Sequence, residues 1–200
     1  MKFSILKSSL FKNTAIYTIT DGISKGLAFL TLPLISHYLI PEELGIAANF
    51  DVLQNILMLL AGQAVINSMP YFFYGKTKEE KSNIVSSLFF IVIVSNILFS
   101  FLILLFTAIL EDYLHIGILL QILTIVSVVA HLISCLNLVL YRLEDKPYIF
   151  AKLQITQTVL YLTALVIFVV VLRMSALGKI LSVIVSFSLM AIVHIVLLIK

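Results

Sequence analysis

The sequence predicts an all-α integral membrane protein of six transmembrane helices, and three observations carry this prediction. Hydrophobic residues make up 62% of the 200-residue chain and charged residues only 12%, and the mean hydropathy is +1.17. A soluble domain carries about 25% charged residues, so this chain could not cover a water-exposed surface. The apolar residues also fall into six long runs separated by short polar connectors. Most of the surface is therefore expected to face lipid.

Each apolar run is long enough to cross a bilayer as a helix. The runs contain 23 to 28 residues, whereas roughly 20 residues span the hydrocarbon core. The connectors are short, which makes consecutive helices antiparallel neighbours. The predicted helices cover residues 14–40, 44–71, 84–110, 116–141, 148–172 and 177–199.

Residues 1–13 form a separate arm before the six-helix lobe of residues 14–200. The apolar side chains Phe3, Leu6 and Leu10 fall on one helical face of the arm, and its lysines lie away from that face. This pattern predicts an amphipathic helix in the membrane interface. A removed signal peptide is disfavoured, because the apolar run that follows is too long.

The distribution of positive charge predicts that both termini are cytoplasmic. Of the 13 Lys and Arg residues, ten lie in the arm, in or beside the connectors after the second and fourth helices, or at the C-terminus. Two lie near the connector after the fifth helix, on the opposite side, and Lys25 lies inside the first run. Cytoplasmic connectors carry such an excess of Lys and Arg.

The first predicted helix contains two charged residues at a spacing that places them on one face. Asp21 and Lys25 are four residues apart, in the order that favours an ion pair within a helix. Charged residues inside the hydrocarbon are costly and usually functional. One interpretation is that Lys25 faces a water-filled cavity and binds an anionic ligand. The other is a pair with Asp21 that allows the helix to insert, and the two interpretations are compatible.

Polar residues on the second and fifth predicted helices indicate an internal cavity. They recur three or four residues apart and therefore share helical faces. The alternative is that they hold neighbouring helices together by hydrogen bonds, and Asp51 alone could instead be solvated near the outer headgroups. The predicted cavity-lining residues are Asp51, Asn55, Gln154, Gln157 and Tyr161.

The first helix also contains residues that favour bending. Gly22 and Gly26 form a pair of small residues four apart, and Pro33 removes one backbone hydrogen bond. These three positions are predicted to act as a hinge in the helix that carries the two charges. A straight, rigid helix is the alternative.

No pattern indicates an enzyme. The four histidines are scattered without acids at metal-ligand spacing, and Cys135 is the single cysteine, so neither a metal site nor a disulfide is predicted. There is no phosphate-binding glycine loop and no nucleotide-binding fingerprint, and no basic stripe with interleaved aromatics points to nucleic acid. We therefore predict a non-enzymatic protein without cofactors.

The stretch from Asp21 to Gly45 resembles the first helix and the entry to the second helix of bacterial polysaccharide (O-antigen and capsule) flippases. These belong to the multidrug/oligosaccharidyl-lipid/polysaccharide exporter superfamily. The resemblance rests on Lys25, the run of residues 29–35 around Pro33, and Pro41-Glu42-Glu43-Leu44-Gly45. The aromatic residues 71–74, followed by a Lys- and Glu-rich connector, also fit. The rest of the chain agrees in topology and spacing.

The resemblance implies export of undecaprenyl-pyrophosphate-linked oligosaccharide units across the bacterial inner membrane by alternating access. It implies two six-helix lobes around a central cavity, of which this chain corresponds to the N-terminal one. The implied partners are the lipid-linked oligosaccharide, membrane lipids, and a second lobe or polysaccharide-assembly proteins. Lys25 would contact the pyrophosphate or an acidic sugar, and Asp21 would be its resting partner.

Two other functions are compatible with six helices in a chain of this length. A small-ligand-binding membrane subunit of an importer would explain the length, although the outer connectors are short for capping a ligand. A non-transporting membrane scaffold would need no polar cavity, and a dry bundle interior would favour it.

Overall fold

The computed structural model describes the backbone of residues 2–199 and the side chains of residues 11–197. About 91% of the chain is helical, and the described residues contain no strand. The described backbone forms eight α-helices: α1 (Lys2–Tyr38), α2 (Pro41–Met58), α3 (Ala64–Phe73), α4 (Lys78–Leu105), α5 (Thr107–Leu114), α6 (Ile118–Leu143), α7 (Pro147–Leu165) and α8 (Ser175–Ile199). The prediction of an all-α protein is confirmed.

Five described helical segments are long and apolar enough to cross a membrane. They indicate a multi-pass membrane protein, because a soluble fold has no use for so many exposed apolar helices. α1 is not among them, since Asp21 and Lys25 interrupt its apolar sequence; a sixth span therefore stays a prediction. The five segments are Pro41–Phe73, Lys78–Leu105, Ile118–Leu143, Pro147–Val171 and Ser175–Leu197.

The start of each later helix has a local cause in the sequence. Pro41 opens α2, where its missing N–H costs nothing, and Glu43 accepts from the backbone N–H of Ile40 at 3.2 Å. Thr77 and Glu80 cap α4 reciprocally, each accepting a hydrogen bond from the backbone N–H of the other. Pro147 opens α7 in the same way as Pro41 opens α2.

The backbone of the predicted N-terminal arm continues into α1 without a break from Lys2 to Tyr38. The apolar face predicted for Phe3, Leu6 and Leu10 lies outside the side chains that the structure describes. The interfacial position of the arm stays a prediction.

The irregular helical turns lie outside α1. α1 passes through Pro33 as one helix, whereas π-helical turns occur at Leu59–Gln63, between α2 and α3, and at Val166–Val171, after α7. In the first of these turns Gly62 leaves helical geometry and packs closely on α4. A Cβ atom on Gly62 would lie 2.9 Å from Cγ2 of Val92. The structure assigns Gly22, Gly26 and Pro33 to one continuous helix, and the predicted hinge stays a prediction.

α6 and α8 form the centre of the bundle. α6 packs against α8, α2, α4, α7 and α3, while α1 lies at the edge and packs mainly against α7. Hydroxyl groups allow close contact around α6, because Ser127 and Ser134 donate to carbonyls of their own helix. The largest core cluster is built around Leu57, Leu132 and Leu136.

Candidate functional site

A cavity of about 460 Å³ lies between α1, α2, α6, α7 and α8. Most of its wall surface is apolar, but ten of its fifteen lining residues carry amides, hydroxyls, a carboxylate or an imidazole. The lining residues are Ser24, Ala28, Asp51, Gln54, Asn55, His131, Ser134, Cys135, Leu138, Gln154, Gln157, Thr158, Tyr161, Val183 and Phe187.

The five residues that the sequence suggests for a cavity all lie on this lining. α2 contributes Asp51 and Asn55, and α7 contributes Gln154, Gln157 and Tyr161. The helical spacing explains this placement, since residues three or four apart face the same neighbour. Sequence reasoning missed other lining residues, such as Ser24 and Phe187, because their types do not stand out in an apolar helix.

Two buried polar atoms on the lining have no hydrogen-bond partner among the described residues. They are Oγ of Ser24 and Nδ1 of His131. The His131 ring stacks on Phe187, with ring centroids 3.9 Å apart and planes 26° apart. Buried polar groups are nearly always paired with protein, water or ligand. These two atoms are inaccessible to solvent, so the hydrogen-bonding capacity that the cavity offers comes from accessible side chains such as Asn55.

Asp51 pairs with Lys179 across the cavity wall. The Lys179 ammonium donates to the Asp51 carboxylate, and it lies 3.4 Å from the carbonyl oxygen of Ala47. The Lys179 side chain is 8% exposed and that of Asp51 is 47% exposed. Asp51 thus faces the cavity while Lys179 is buried behind it, and the pair joins α2 to α8.

The pairing of Asp21 differs from the sequence-based prediction, in which Lys25 is its partner. Asp21 instead accepts a hydrogen bond from Nη2 of Arg142 at 3.2 Å and from Nε2 of Gln154 at 2.9 Å. The reason is that α1 packs along α7, which brings Gln154 and the end of α6 against the carboxylate. The guanidinium then supplies a directional, charge-assisted bond.

Lys25 lies apart from this cluster. Its side chain is exposed, it forms no salt bridge with a described residue, and it is absent from the cavity lining. The hinge glycines Gly22 and Gly26 are exposed as well. This face of α1 therefore points away from the bundle.

A smaller cavity of about 130 Å³ adjoins the first one. Both are lined by Cys135, Leu138 and Gln154, so the open space continues along α6 towards its C-terminal end. The lining of the smaller cavity is completed by Gln63, Ile66, Asn67, Val139, Arg142 and Phe150.

No group of three or more His, Cys, Asp or Glu side chains in the described part of the chain is arranged to hold a metal ion. No protein-family model, curated protein or solved structure matches the chain. The chemistry of the two cavities and the ion pairs beside them is therefore the basis for a functional proposal.

Proposed function

We propose that this chain is the N-terminal lobe of an exporter that moves lipid-linked oligosaccharide units across the bacterial inner membrane. The observation that carries the proposal is the cavity of about 460 Å³ inside an apolar helical bundle. A bundle that only packs or spans would gain by filling this volume with apolar side chains, because unpaired buried polar groups cost free energy. A polar interior is useful when a polar ligand must pass.

The lining suits the hydroxyl groups of a sugar. Amides such as Asn55 and Gln157 offer both donors and acceptors, and the stacked His131 and Phe187 rings offer a flat surface. The outer surface, with exposed apolar residues such as Phe29 and Leu30 on α1, suits a hydrocarbon chain that stays in the bilayer. One molecule with a polar head and a lipid tail would use both surfaces.

The resemblance of residues 21–45 to polysaccharide flippases supports the same proposal. In this proposal the chain crosses the membrane six times with both termini in the cytoplasm, as the distribution of Lys and Arg predicts. A second six-helix lobe covers the exposed face of α1, which packs mainly against α7 within this lobe. Lys25 then faces the space between two lobes, where its ammonium can meet an anionic substrate.

The proposal is tested by replacing Lys25 with Ala in the complete gene, in its own host. We expect surface polysaccharide to fall to the level of a strain lacking the gene, while the amount of membrane-inserted protein stays constant. Lys76→Ala is the matched control, because Lys76 is exposed and, among the described residues, pairs with Glu80 alone at 3.2 Å. Normal surface polysaccharide in the strain lacking the gene would overturn the proposed function.

The same cavity also favours a second function, the binding of a small polar ligand for an importer. Its volume of about 460 Å³ lies within the range of roughly 300–1,000 Å³ that is usual for small-molecule sites. An importer subunit of this kind would copurify with an ATPase module. Copurification, together with normal surface polysaccharide in the strain lacking the gene, would favour this function over the first.

A further inference from the structure

We infer that Arg142 is an anion-binding residue of the smaller cavity and that it takes the phosphate group of a substrate. The inference depends on the proposed function only for the identity of that substrate. Arg142 lies in the last turn of α6 and lines the smaller cavity beside Gln63 and Asn67. Sequence reasoning placed the anion site at Lys25, which lines neither cavity.

The guanidinium of Arg142 is held in place by aromatic rings, but most of its N–H donors have no hydrogen-bond acceptor among the described residues. Its Cζ atom lies 4.7 Å from the ring centroid of Phe150 and 5.5 Å from that of Tyr17. It makes one side-chain hydrogen bond to a described residue, to Asp21, although a guanidinium has five N–H donors. The side chain is 48% exposed. Donors fixed by aromatic rings beside a cavity are organised for a ligand that accepts several hydrogen bonds.

The charges of the two cavity linings differ in sign. Arg142 is the one charged residue among the described residues that line the smaller cavity, and Asp51 is the one on the larger lining. Each charge has a partner of opposite sign, Asp21 for Arg142 and Lys179 for Asp51. Of the two linings, only the smaller one presents a cationic group among the described residues, so an anion is favoured there. Guanidinium groups bind phosphate through two parallel hydrogen bonds, which a lysine cannot match. Phosphate at Arg142 would leave the larger cavity for an uncharged polar part.

Asp21 acts as a resting substitute for the phosphate. Its carboxylate accepts from both Arg142 and Gln154, and Gln154 lines both cavities. When a phosphate binds the guanidinium, Asp21 keeps its hydrogen bond with Gln154 but loses its ion pair with Arg142 on α6. Binding of the anion thereby loosens the contact between α1 and α6.

The experiment measures the binding of inorganic pyrophosphate to the full chain in phosphatidylcholine nanodiscs by calorimetry. Arg142→Gln should weaken binding by about tenfold to a hundredfold, the usual value of hydrogen bonds to a charged group. Asp21→Asn should strengthen binding by about twofold to fivefold, because a competing surface ion pair is removed. If the ion pair between Arg142 and Asp21 were only structural, the two substitutions would not change pyrophosphate affinity in opposite directions.

Lys146→Gln is the matched control. Lys146 lies in the next connector, and a hydrogen bond from its ammonium to Glu144 at 2.7 Å raises its pKa, so it is charged and already paired. Its removal should leave pyrophosphate affinity unchanged. Melting temperatures of all variants in nanodiscs establish that each is folded. Arg142→Lys keeps the positive charge but loses the paired N–H donors of the guanidinium, so it should bind pyrophosphate with intermediate affinity.

A second arm repeats the titration in nanodiscs that contain phosphatidylglycerol. Weaker pyrophosphate binding there, in the wild type but not in Arg142→Gln, would support the site and assign its phosphate to a lipid headgroup. Equal affinity in both membranes would support the site and assign it to a ligand outside the bilayer lipids.

Absence of pyrophosphate binding in the wild type, or equal binding in wild type and Arg142→Gln, would overturn the inference. Either result would leave the exporter proposal standing, since that proposal is tested by surface polysaccharide in the host. Conversely, normal polysaccharide without the gene would remove the exporter proposal and leave measured pyrophosphate binding at Arg142 intact.

Discussion

Asp21 and Asp51 each meet a cation that lies far along the chain. Asp21 is 121 residues from Arg142, and Asp51 is 128 residues from Lys179. A charge in apolar surroundings is strongly disfavoured unless it is paired and hydrogen-bonded. The two pairs therefore explain how carboxylates are kept at the edge of cavities in this bundle.

Replacing Lys179 with Met should destabilise the protein by leaving the Asp51 carboxylate unpaired. We expect a loss of about 1–3 kcal/mol in the free energy of unfolding, below the range for fully buried pairs, because Asp51 is 47% exposed to the cavity. Equilibrium unfolding by SDS in mixed micelles measures this change.

The double variant Lys179→Met with Asp51→Asn should recover most of the lost stability, since no uncompensated charge remains. Lys76→Met removes a lysine from an exposed pair and should change stability little. Wild-type stability in Lys179→Met would contradict the assigned pair.

The sequence was informative about the cavity residues and uninformative about their partners. Helical periodicity alone groups Asp51 with Asn55 and Gln154 with Tyr161, and all four line one cavity. Local spacing suggests Lys25 as the partner of Asp21, but tertiary packing places Arg142 there. Contacts between residues more than a hundred positions apart depend on how helices pack, which no local pattern encodes.

At the scale of the helix, apolar runs located the elements, but packing determined their irregular turns. The run of residues 84–110 divides into α4, which ends at Leu105, and the start of α5 at Thr107. The π-helical turns were not predicted, and a glycine lies in or against each of them. Gly62 packs on Val92, and Gly178 packs on the backbone of Phe168.

Replacing Gly178 with Ala should destabilise the contact between α8 and the turn Val166–Val171. An added Cβ would lie 2.9 Å from the carbonyl oxygen of Phe168, and backbone cannot move aside as a side chain can. We expect a loss of about 1–3 kcal/mol, as for overpacking in other cores. Thermal unfolding in detergent, with intrinsic tyrosine fluorescence, reports the change.

Gly22→Ala is the matched control within α1, where an added Cβ would have no neighbour within 4 Å. It should preserve stability or raise it by about 0.5–1 kcal/mol, since alanine is the better helix former. Equal effects of the two substitutions would contradict the packing described around Gly178.

The molecule as a whole is a bundle whose first helix lies at the edge and packs mainly against α7. Composition and run length were enough to predict an all-α membrane protein, because few other structures bury so much apolar surface in lipid. The prediction that α1 crosses the membrane as a further span stays a prediction, since α1 is not among the five described segments that are long and apolar enough.

Cysteine labelling tests the number of spans and their orientation. In a Cys135→Ala background, Glu42→Cys and Asp112→Cys should react with an impermeant maleimide in intact cells. Lys12→Cys and Glu144→Cys should react only after permeabilisation, because both termini are expected in the cytoplasm. Labelling of Lys12→Cys and Glu42→Cys from the same side would mean that α1 does not cross.

The most direct measurement of the proposed function is the leaflet in which lipid-linked oligosaccharide accumulates when the gene is inactivated. Periplasmic glycosidase treatment of intact spheroplasts, followed by mass spectrometry of extracted lipid, separates units facing the two sides. We expect the units to accumulate in a protected, cytoplasm-facing form, and the complete gene to restore their exposure. Units that reach the periplasmic face at the normal rate without the gene would contradict the exporter proposal.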